Sequence, residues 1–394
     1  MSTNSLLNPS LITKETLVML ENNLVMAAKV NRQFENNFVK IGASLTIRKP
    51  NKFTTTLGPG LSVQNITEPQ TSITISNQRH VDFQFSSQDL TLTVEEFSDR
   101  YMKPAAAALA NQLDVDVMSQ YINVNNHVGT AGVVPANFQA LANVGQRMDE
   151  NAVPQDGRIL ILNAAAYWTL ANGLIGVFVR SVAEPALKGY LANIANFEIY
   201  IDQNAQAQTW GLYGGTGRIN GAGQTGSSIV TNGWSNSITN LIRAGDVITF
   251  AGVFNINPQS RQSTGQLMNF LVTANVNSDG SGNATIPIYP SITTSGAYQT
   301  VSASPANLAS ITQLGTANTS LFQNLAFVKD AFGLVTVPME LPQGVDFAAR
   351  EMFRGISMRV IRAYDINNDV MPCRLDILYG TSTFYPELAC RLTN

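Results

Sequence analysis

Few side chains in this sequence could carry out catalysis or hold a metal ion. His80 and His127 are its two histidines, and neither has another histidine, a cysteine or an acidic residue at the spacing that metal ligands use. Cys373 and Cys390 lie in or near predicted strands, where a cysteine usually acts as a small apolar residue. No sequence feature supplies the base that a nucleophilic thiol needs. These residues therefore predict no catalytic residue, no metal and no cofactor.

Three patterns resemble binding motifs but lack the surroundings that such motifs need. Gly221-Ala-Gly-Gln-Thr-Gly226 has the form of a dinucleotide-binding fingerprint, yet no predicted helix follows it to receive a pyrophosphate. Asp365-Ile-Asn-Asn-Asp369 resembles the start of a calcium-binding loop, without its glycine or its later glutamate. Asp114 and Asp116 are two residues apart on a predicted helix, so they face different directions and form no carboxylate pair. The first two patterns predict loops or turns, and the third predicts no acid-base site.

The composition favours a folded structural protein. The chain has 394 residues, of which 44% are hydrophobic and 13% are charged, whereas soluble domains average about 25% charged residues. A formal net charge of -3 argues against tight nucleic-acid binding, which depends on lysine and arginine. No segment has the roughly 18 apolar residues of a membrane-spanning helix, and residues 1–10 lack the pattern of a signal peptide. Two cysteines fit a reducing compartment better than a disulfide framework.

Charge is distributed unevenly along the chain. The 120 residues from 204 to 323 contain five charged side chains and are rich in glycine, asparagine, serine and threonine. Short β-like runs in this segment are separated by Gly and Asn turn signals. We interpret residues 204–323 as an all-β module inserted into another domain, because regular segments adjoin both of its ends. The five charged residues are Arg218, Arg243, Asp246, Arg261 and Asp279.

The rest of the chain has the pattern of a mixed α+β body. Hydrophobic periodicity and caps predict several helices, and short apolar runs predict strands. The predicted helices are 11–38, 95–122, 136–149 and 164–171. The predicted strands of the body are 158–162, 198–201, 326–338, 355–365 and 374–379.

An extended hairpin is predicted between the first two helices. Residues 44–53 and 72–85 have β-branched residues and alternating patterns, and Leu57-Gly-Pro-Gly-Leu61 lies in the broad loop between them. A two-stranded hairpin is marginally stable by itself in water, because it has too little apolar surface to bury. It must therefore lie against its own body or against a neighbouring subunit.

Several segments, in this order, resemble one known family. Residues 39–53 resemble the start of the extended loop of tailed-phage major coat proteins, and 79–92 resemble its return strand. Residues 96–105 resemble the entry to the family's spine helix. Shorter matches occur at 137–138, 148–149, 153–160, 243–253, 327–338, 374–380 and 386–389. The sequence is thus similar to the tailed-phage coat proteins that have the Hong Kong phage type capsid fold and an inserted β-barrel domain.

This resemblance implies a fold, a function and a set of partners. It implies an α+β capsid fold that assembles into the pentamers and hexamers of an icosahedral shell around double-stranded DNA, held without sequence specificity. A scaffolding protein and a portal are the implied assembly partners, and no membrane is involved. The implied location is the virion, after assembly in the bacterial host cytoplasm. The implied domains are a helical arm (1–43), the hairpin loop (44–85), a capsid core (86–203 and 324–394) and the β module (204–323).

Basic residues at the base of the hairpin are candidates for contacts between subunits. We predict salt-sensitive ion pairs between these residues and acids that precede the spine helix of a neighbour. A solvated basic cluster is an equal alternative, because exposed ion pairs often contribute less than about 1 kcal/mol. The basic candidates are Arg48, Lys49 and Lys52, and the acidic candidates are Glu95, Glu96 and Asp99.

Two other functions remain open from the sequence. The uncharged β module with Trp210, Tyr213 and Trp234 has the composition of a sugar-binding surface, so a carbohydrate-binding or adhesion protein is the second interpretation. An enzyme ranks last, because candidate catalytic residues are lacking. Polymerisation distinguishes the first two, since a coat protein must form closed shells and an adhesin need not.

Overall fold

The computed structural model describes residues 9–22, 24–34, 44–66, 68–86, 101–174, 193–353 and 356–394. The helices among them are α1 (Pro9–Asn22), α2 (Lys103–Met118), α3 (Phe138–Glu150) and α4 (Ala164–Leu174), with short 3-10 helices at Ser119–Asn123, Lys329–Ala331 and Pro386–Leu388. The strands are β1 (Ser44–Arg48), β2 (Gln70–Thr74), β3 (Asn77–Ser86), β4 (His127–Val128), β5 (Arg158–Leu162), β6 (Phe197–Ile201), β7 (Ala207–Thr209), β8 (Gly215–Ile219), β9 (Gly226–Trp234), β10 (Val247–Phe250), β11 (Phe254–Ile256), β12 (Ser263–Leu267), β13 (Phe270–Val272), β14 (Ala284–Ile292), β15 (Ile311–Gln313), β16 (Ser320–Val328), β17 (Phe332–Thr336), β18 (Phe347–Phe353), β19 (Ile356–Arg362), β20 (Val370–Thr383) and β21 (Ala389–Thr393).

The chain forms two compact units, each assembled from separate stretches of sequence. The first contains Met1–Ile47, Gln70–Met118 and Phe332–Phe384, and the second contains Arg48–Pro69, Ser119–Ala331 and Tyr385–Asn394. The division predicted from the sequence is finer than these two units. That finer division into arm, loop, core and insert stays a prediction.

The first unit is built on an antiparallel sheet of five strands in which β20 is the central and longest element. β3 pairs with β20 along ten residues, from Asn77 opposite Tyr379 to Ser86 opposite Val370. The far end of β20 pairs with β17, and β19 and β18 follow on its other side. The predicted strand 72–85 is thus two strands, because β2 pairs with β1 whereas β3 joins the sheet β17-β20-β19-β18 through β20.

Two helices accompany this sheet. Leu17 and Leu20 of α1 are fully buried, and α1 packs against β18, β19 and α2. The predicted helix over 11–38 is too long, because α1 ends at Asn22. The buried Asp114 of α2 explains the end, since its carboxylate accepts hydrogen bonds from the backbone N–H groups of Val25 and Ala27, both at 2.7 Å. Those two N–H groups are no longer donors for another helical turn.

The predicted spine helix corresponds to α2 and the 3-10 helix that follows it. Pro104 is the second residue of α2, within the first turn, where proline is tolerated because its missing N–H would have no helical partner. α2 buries a face that includes Ala106, Leu109 and Leu113, and the chain tightens into the 3-10 helix Ser119–Asn123. The predicted start at Glu95 lies outside the described residues.

The second unit contains a mixed sheet in the order β4-β21-β16-β5-β6. All five residues of β5 are buried, as expected for a strand that is covered on both faces. Helix α3 begins after Asn137, whose Oδ1 accepts the Ala140 N–H at 3.2 Å. Its apolar face, Leu141, Val144 and Met148, packs in the same core as β5 and β6. The predicted elements 136–149, 158–162, 164–171 and 198–201 agree with this arrangement to within about three residues.

A nearly closed β-barrel lies in the same unit. Six strands follow the order β15-β10-β13-β14-β9-β8. The Ile219 N–H donates to Ala309 O at 3.0 Å and the Leu308 N–H donates to Ile219 O at 2.9 Å, which brings the last strand of this sheet back beside the first. Phe250 and Phe270 meet in its core with ring centroids 4.9 Å apart. The inserted all-β domain is thus confirmed as part of the fold, while its limits at 204 and 323 stay predictions.

The predicted strand 326–338 was also wrong, and two observed strands were not predicted. Residues 326–338 do not form one strand, because β16 and β17 are separated by the 3-10 helix Lys329–Ala331 and belong to different sheets. Both strands are buried over most of their length, so the sequence is mostly apolar on both sides of Lys329 and Asp330 and resembles a single strand. Strands β18 and β21 were not predicted, since β18 contains charged residues and β21 contains Arg391 in a fully buried position.

Candidate functional site

Among the described residues, the loop between β1 and β2 exposes a run of large apolar side chains. Five large apolar side chains lie along it, and each is between 59% and 102% exposed. A soluble protein rarely exposes such a contiguous apolar segment unless it is a contact surface. The five residues are Phe53, Leu57, Leu61, Val63 and Ile66.

The two halves of the loop are joined near its middle by a reciprocal pair of hydrogen bonds. The Thr54 N–H donates to Gln64 Oε1 at 2.9 Å, and Gln64 Nε2 donates back to Thr54 O. At the base, the Lys49 N–H donates to Pro69 O at 2.7 Å. These bonds close residues 49–69 into a hairpin-like loop whose apolar residues have no core of their own.

The basic residues predicted at the base of the hairpin lie there in the structure. Arg48 pairs with Glu68 at 3.2 Å, and both side chains are largely exposed. Lys49 places its Nζ 4.8 Å from the centroid of the Tyr385 ring. Burial lowers the pKa of the Lys49 ammonium, and the Glu387 carboxylate opposes that shift. Glu95, Glu96 and Asp99 lie outside the described residues, so their pairing with the basic residues stays a prediction.

His127, Cys373 and Cys390, the candidates for chemistry in the sequence, are buried in the folded chain. His127 is buried, its Nε2 lies 2.6 Å from Thr393 Oγ1, and burial lowers its pKa to about 3. Burial raises the pKa of the Cys373 thiol to about 11 and that of the Cys390 thiol to about 12. Within the described ranges, no group of three or more His, Cys, Asp or Glu side chains could hold a metal ion. None of the helices in the described ranges has the length and apolar character of a membrane-spanning helix.

The aromatic residues that suggested a sugar-binding surface are not on a surface. Trp210 is fully buried and Trp234 is nearly so, and the Trp234 Nε1 donates to Thr231 Oγ1 at 2.8 Å. Tyr213 packs against the barrel core and is partly buried. The rings of both tryptophans are covered by protein atoms, so they cannot stack on a sugar ring, and Tyr213 is only partly exposed.

A buried polar cluster lies between the start of the barrel strand β10 and the last strand β21, and the sequence patterns did not predict it. Asp246 is fully buried before β10 and accepts hydrogen bonds from Gly211 N at 3.0 Å, Arg243 N at 2.9 Å and Gln208 Nε2 at 3.1 Å. Arg391 of β21 is also fully buried and donates to Gly245 O at 2.9 Å. Burial raises the pKa of Asp246 and lowers that of Arg391 to about 10. The low charge of residues 204–323 was a usable signal, because a charged residue in such a segment usually needs a partner.

Comparisons with known proteins identify the family. A family model described as P22 coat protein, gene protein 5, matches residues 1–392. A curated major capsid protein of Acyrthosiphon pisum secondary endosymbiont phage 1 is 28% identical over 171 residues, which are 41% of this chain and 40% of that protein. That alignment spans less than half the length of the curated relative.

Two solved phage structures were compared with the chain, and one of them has a similar fold. The structure titled Mycobacterium phage Che8 has a TM-score of 0.50 at 13% identity, covering 94% of this chain and 90% of its own. The capsid structure of the cyanophage P-SCSP1u has a TM-score of 0.45 at 11% identity, with 92% and 84% covered. The first of these likenesses supports the fold alone, which is the mixed α+β capsid fold of the Hong Kong phage type with its barrel. Because the family model matches nearly the whole sequence, the chain belongs to the P22 coat protein family, whose members are structural proteins of phage capsids and not enzymes.

Proposed function

We propose that this major capsid protein assembles as pentamers and hexamers into a closed icosahedral shell, with the extended loop of each subunit lying across a neighbour. The exposed apolar loop carries the proposal. Its five large apolar side chains are nearly all in solvent in the single chain. Burying one such side chain is worth about 1.5–3 kcal/mol, so the loop could contribute on the order of 10 kcal/mol before the entropic cost of association.

A repeated loop contact accounts for closed rings. When one surface of a subunit binds a different surface of the next, the same contact repeats around a ring if the rotation closes. The net charge of -3 on 394 residues limits repulsion between many identical copies. Both properties suit a chain that packs repeatedly against itself.

We propose a scaffolding protein and a portal as partners during assembly in the bacterial host, and double-stranded DNA as the contents of the shell. The weak net charge supports DNA enclosure without sequence recognition, because affinity for duplex DNA depends mainly on lysine and arginine at phosphates. In this proposal the shell encloses the genome and does not recognise its base sequence.

Ion pairs between subunits are proposed at the base of the loop, in addition to the apolar contact. The basic partners are Arg48, Lys49 and Lys52, and the acidic partners are Glu95, Glu96 and Asp99. Arg48 is the most informative of them, because its guanidinium is 76% exposed. Arg48→Glu should lower the assembly yield most at low salt, where screening is weakest. An unchanged yield for the double variant Arg48→Glu, Lys49→Glu would contradict this part of the proposal.

Negative-stain electron microscopy tests the main proposal. The purified full-length chain is imaged alone and together with the scaffolding protein of its own phage. Uniform closed shells are the expected result. Discrete monomers or small oligomers in both preparations would refute the proposal, and a variant with Leu57→Ser and Leu61→Ser should reduce shell yield even where the wild type assembles well.

A further inference from the structure

The base of the extended loop contacts a short segment from the end of the chain. Lys49 lies over the ring of Tyr385, and the ammonium is 4.8 Å from the ring centroid. A cation this close to an aromatic face is attracted by the ring's negative centre. Lys49 is half-buried in this position, and burial lowers the pKa of its ammonium. The loop is thus attached to its own subunit at a point next to its first strand.

The barrel contributes a second attachment. The backbone N–H of Lys52 donates to Tyr298 Oη at 3.4 Å, and the same hydroxyl donates to Asn51 Oδ1 at 3.4 Å. Tyr298 precedes β15 in the barrel domain, so residues 49–52 touch both the barrel and the Tyr385 segment. Both attachments lie within the second compact unit.

A carboxylate beside these contacts lacks a hydrogen bond. Glu387 Oε2 is buried and accepts no hydrogen bond from the described residues. Glu387 and Lys52 line the same cavity of about 150 Å³, together with Asn125, Asn126 and Tyr289. The Glu387 charge also acts on Lys49. One half-buried carboxylate therefore acts electrostatically on Lys49 and lines the same cavity as Lys52.

We propose that Lys49, Lys52 and Glu387 are positioning residues for the extended loop. The cation–π contact of Lys49 with Tyr385, the Lys52 side chain in the cavity it shares with Glu387, and the attraction of the Glu387 charge for Lys49 hold residues 49–52 on the segment Tyr385–Glu387. The direction of the loop is thereby set inside the subunit, before a neighbour is engaged. Arg48 has a different role, because its partner Glu68 belongs to the loop itself and both side chains are exposed. This inference rests on the proposed function, in which the loop is the contact between subunits.

Hydrogen exchange on the unassembled full-length chain tests the attachment. The informative amides are those of Lys49, Lys52 and Thr54, since each makes a hydrogen bond in or near the loop base. Lys49→Gln and Glu387→Gln should each raise the exchange rate of these amides by about tenfold. Lys49→Arg should keep the wild-type rate, because arginine also stacks on aromatic rings. Arg48→Gln is the matched control and should change exchange at Lys52 by less than about twofold. Amides of β10 in the barrel should be unaffected, which shows that each variant is folded.

Shell uniformity is the second measurement. Lys49→Gln and Glu387→Gln should give several-fold fewer uniform shells than the wild type, because a loop without a set direction engages neighbours at varied angles. Unchanged loop exchange in both attachment variants would overturn the inference, whatever the shells look like. If exchange rises as expected but the wild type forms no shells, the attachment stands and the proposed function fails. If exchange rises and shells stay uniform, the residues do not position the loop for assembly and the inference fails.

Discussion

The extended loop and the β-barrel belong to the same compact unit but bury their apolar residues to opposite degrees. In the barrel, Phe250, Phe270 and Val272 have no exposed surface. In the loop, Leu57 and Leu61 are almost completely exposed. The barrel strands close on one another, so each strand supplies the surface that its neighbours bury against. The loop consists of two extended halves with no third element to pack against, so it has too little surface to bury its own apolar residues. One region can therefore be stable within a single subunit, and the other is the region that the proposed contact with a second copy would bury.

Truncating the barrel core should have the largest effect on the stability of the subunit. Phe250→Ala removes a fully buried ring that packs on Phe270, and we expect it to lower the free energy of unfolding by about 3–5 kcal/mol. Denaturant unfolding of the unassembled chain measures this loss. Leu57→Ala is the control in the loop and should cost less than about 0.5 kcal/mol. Equal losses in the two variants would contradict the contrast between barrel and loop.

Adding a methyl group at Gly315 of the barrel domain should have the next largest effect on the stability of the subunit. A Cβ on Gly315 would lie 1.9 Å from the Trp210 ring, so Gly315→Ala forces that buried side chain to move. We expect a loss of up to about 3 kcal/mol, as for other overpacked cores. Gly280→Ala is the matched control, because its Cβ would meet no atom within 4 Å. Thermal melting of both variants checks the prediction, and a Gly315→Ala variant as stable as Gly280→Ala would show that the packing around Trp210 is loose.

Acid should destabilise the folded body through His127 and have no such effect through the loop. Burial lowers the pKa of His127 to about 3, whereas the unfolded chain has the ordinary value of 6.5. Between these values the unfolded state binds a proton that the folded state does not, so stability falls as the pH falls. At pH 5 the loss attributable to His127 is about 2 kcal/mol.

The pH dependence of unfolding in His127→Gln isolates this contribution. The slope of stability against pH between 6.5 and 5 should be smaller in this variant than in the wild type. A Leu57→Ser variant should keep the wild-type slope, because it changes no titrating group. If His127→Gln had the wild-type slope, acid sensitivity would have to come from other groups.

The smallest effect on subunit stability is expected in the loop, where the effect on assembly should be large. Leu57→Ser with Leu61→Ser should change the free energy of unfolding by less than about 0.5 kcal/mol, because both side chains are exposed in the single chain. Assembly yield, measured by sedimentation of shells, should fall strongly in the same variant. Thr55→Ser with Thr56→Ser changes the same loop with little loss of apolar surface and should assemble normally. A loss of subunit stability in the leucine variant would mean that the loop packs on its own chain.

Local patterns predicted the elements whose partners lie nearby in the sequence or whose burial is uniform. Residues 158–162 form the predicted strand. The helix predicted over 136–149 is also present, and Asn137 caps its start. The low charge of residues 204–323 pointed to an all-β domain, and the barrel strands lie inside that range. These predictions succeeded because hydrophobic periodicity and turn residues act over a few positions.

The errors share a physical origin in contacts between distant residues. Helix α1 ends at Asn22 because a carboxylate about 90 positions away takes the N–H groups that a longer helix would need. Arg391 is fully buried in a strand that local charge would place at a surface. Such contacts override propensity, and no window of neighbouring residues contains them.

The sequence by itself determined the class of the protein, the uncharged β domain and a hairpin that must lie against its own body or a neighbouring subunit. Composition, periodicity and the order of familiar segments depend on residue types alone, so they could be read without coordinates. Only the tertiary structure decided which apolar and charged groups are buried. It placed Trp210 in the interior, left Leu57 in solvent and set Lys49 over Tyr385. Burial and pairing depend on what other parts of the chain bring to the same place, and that is a property of the folded molecule.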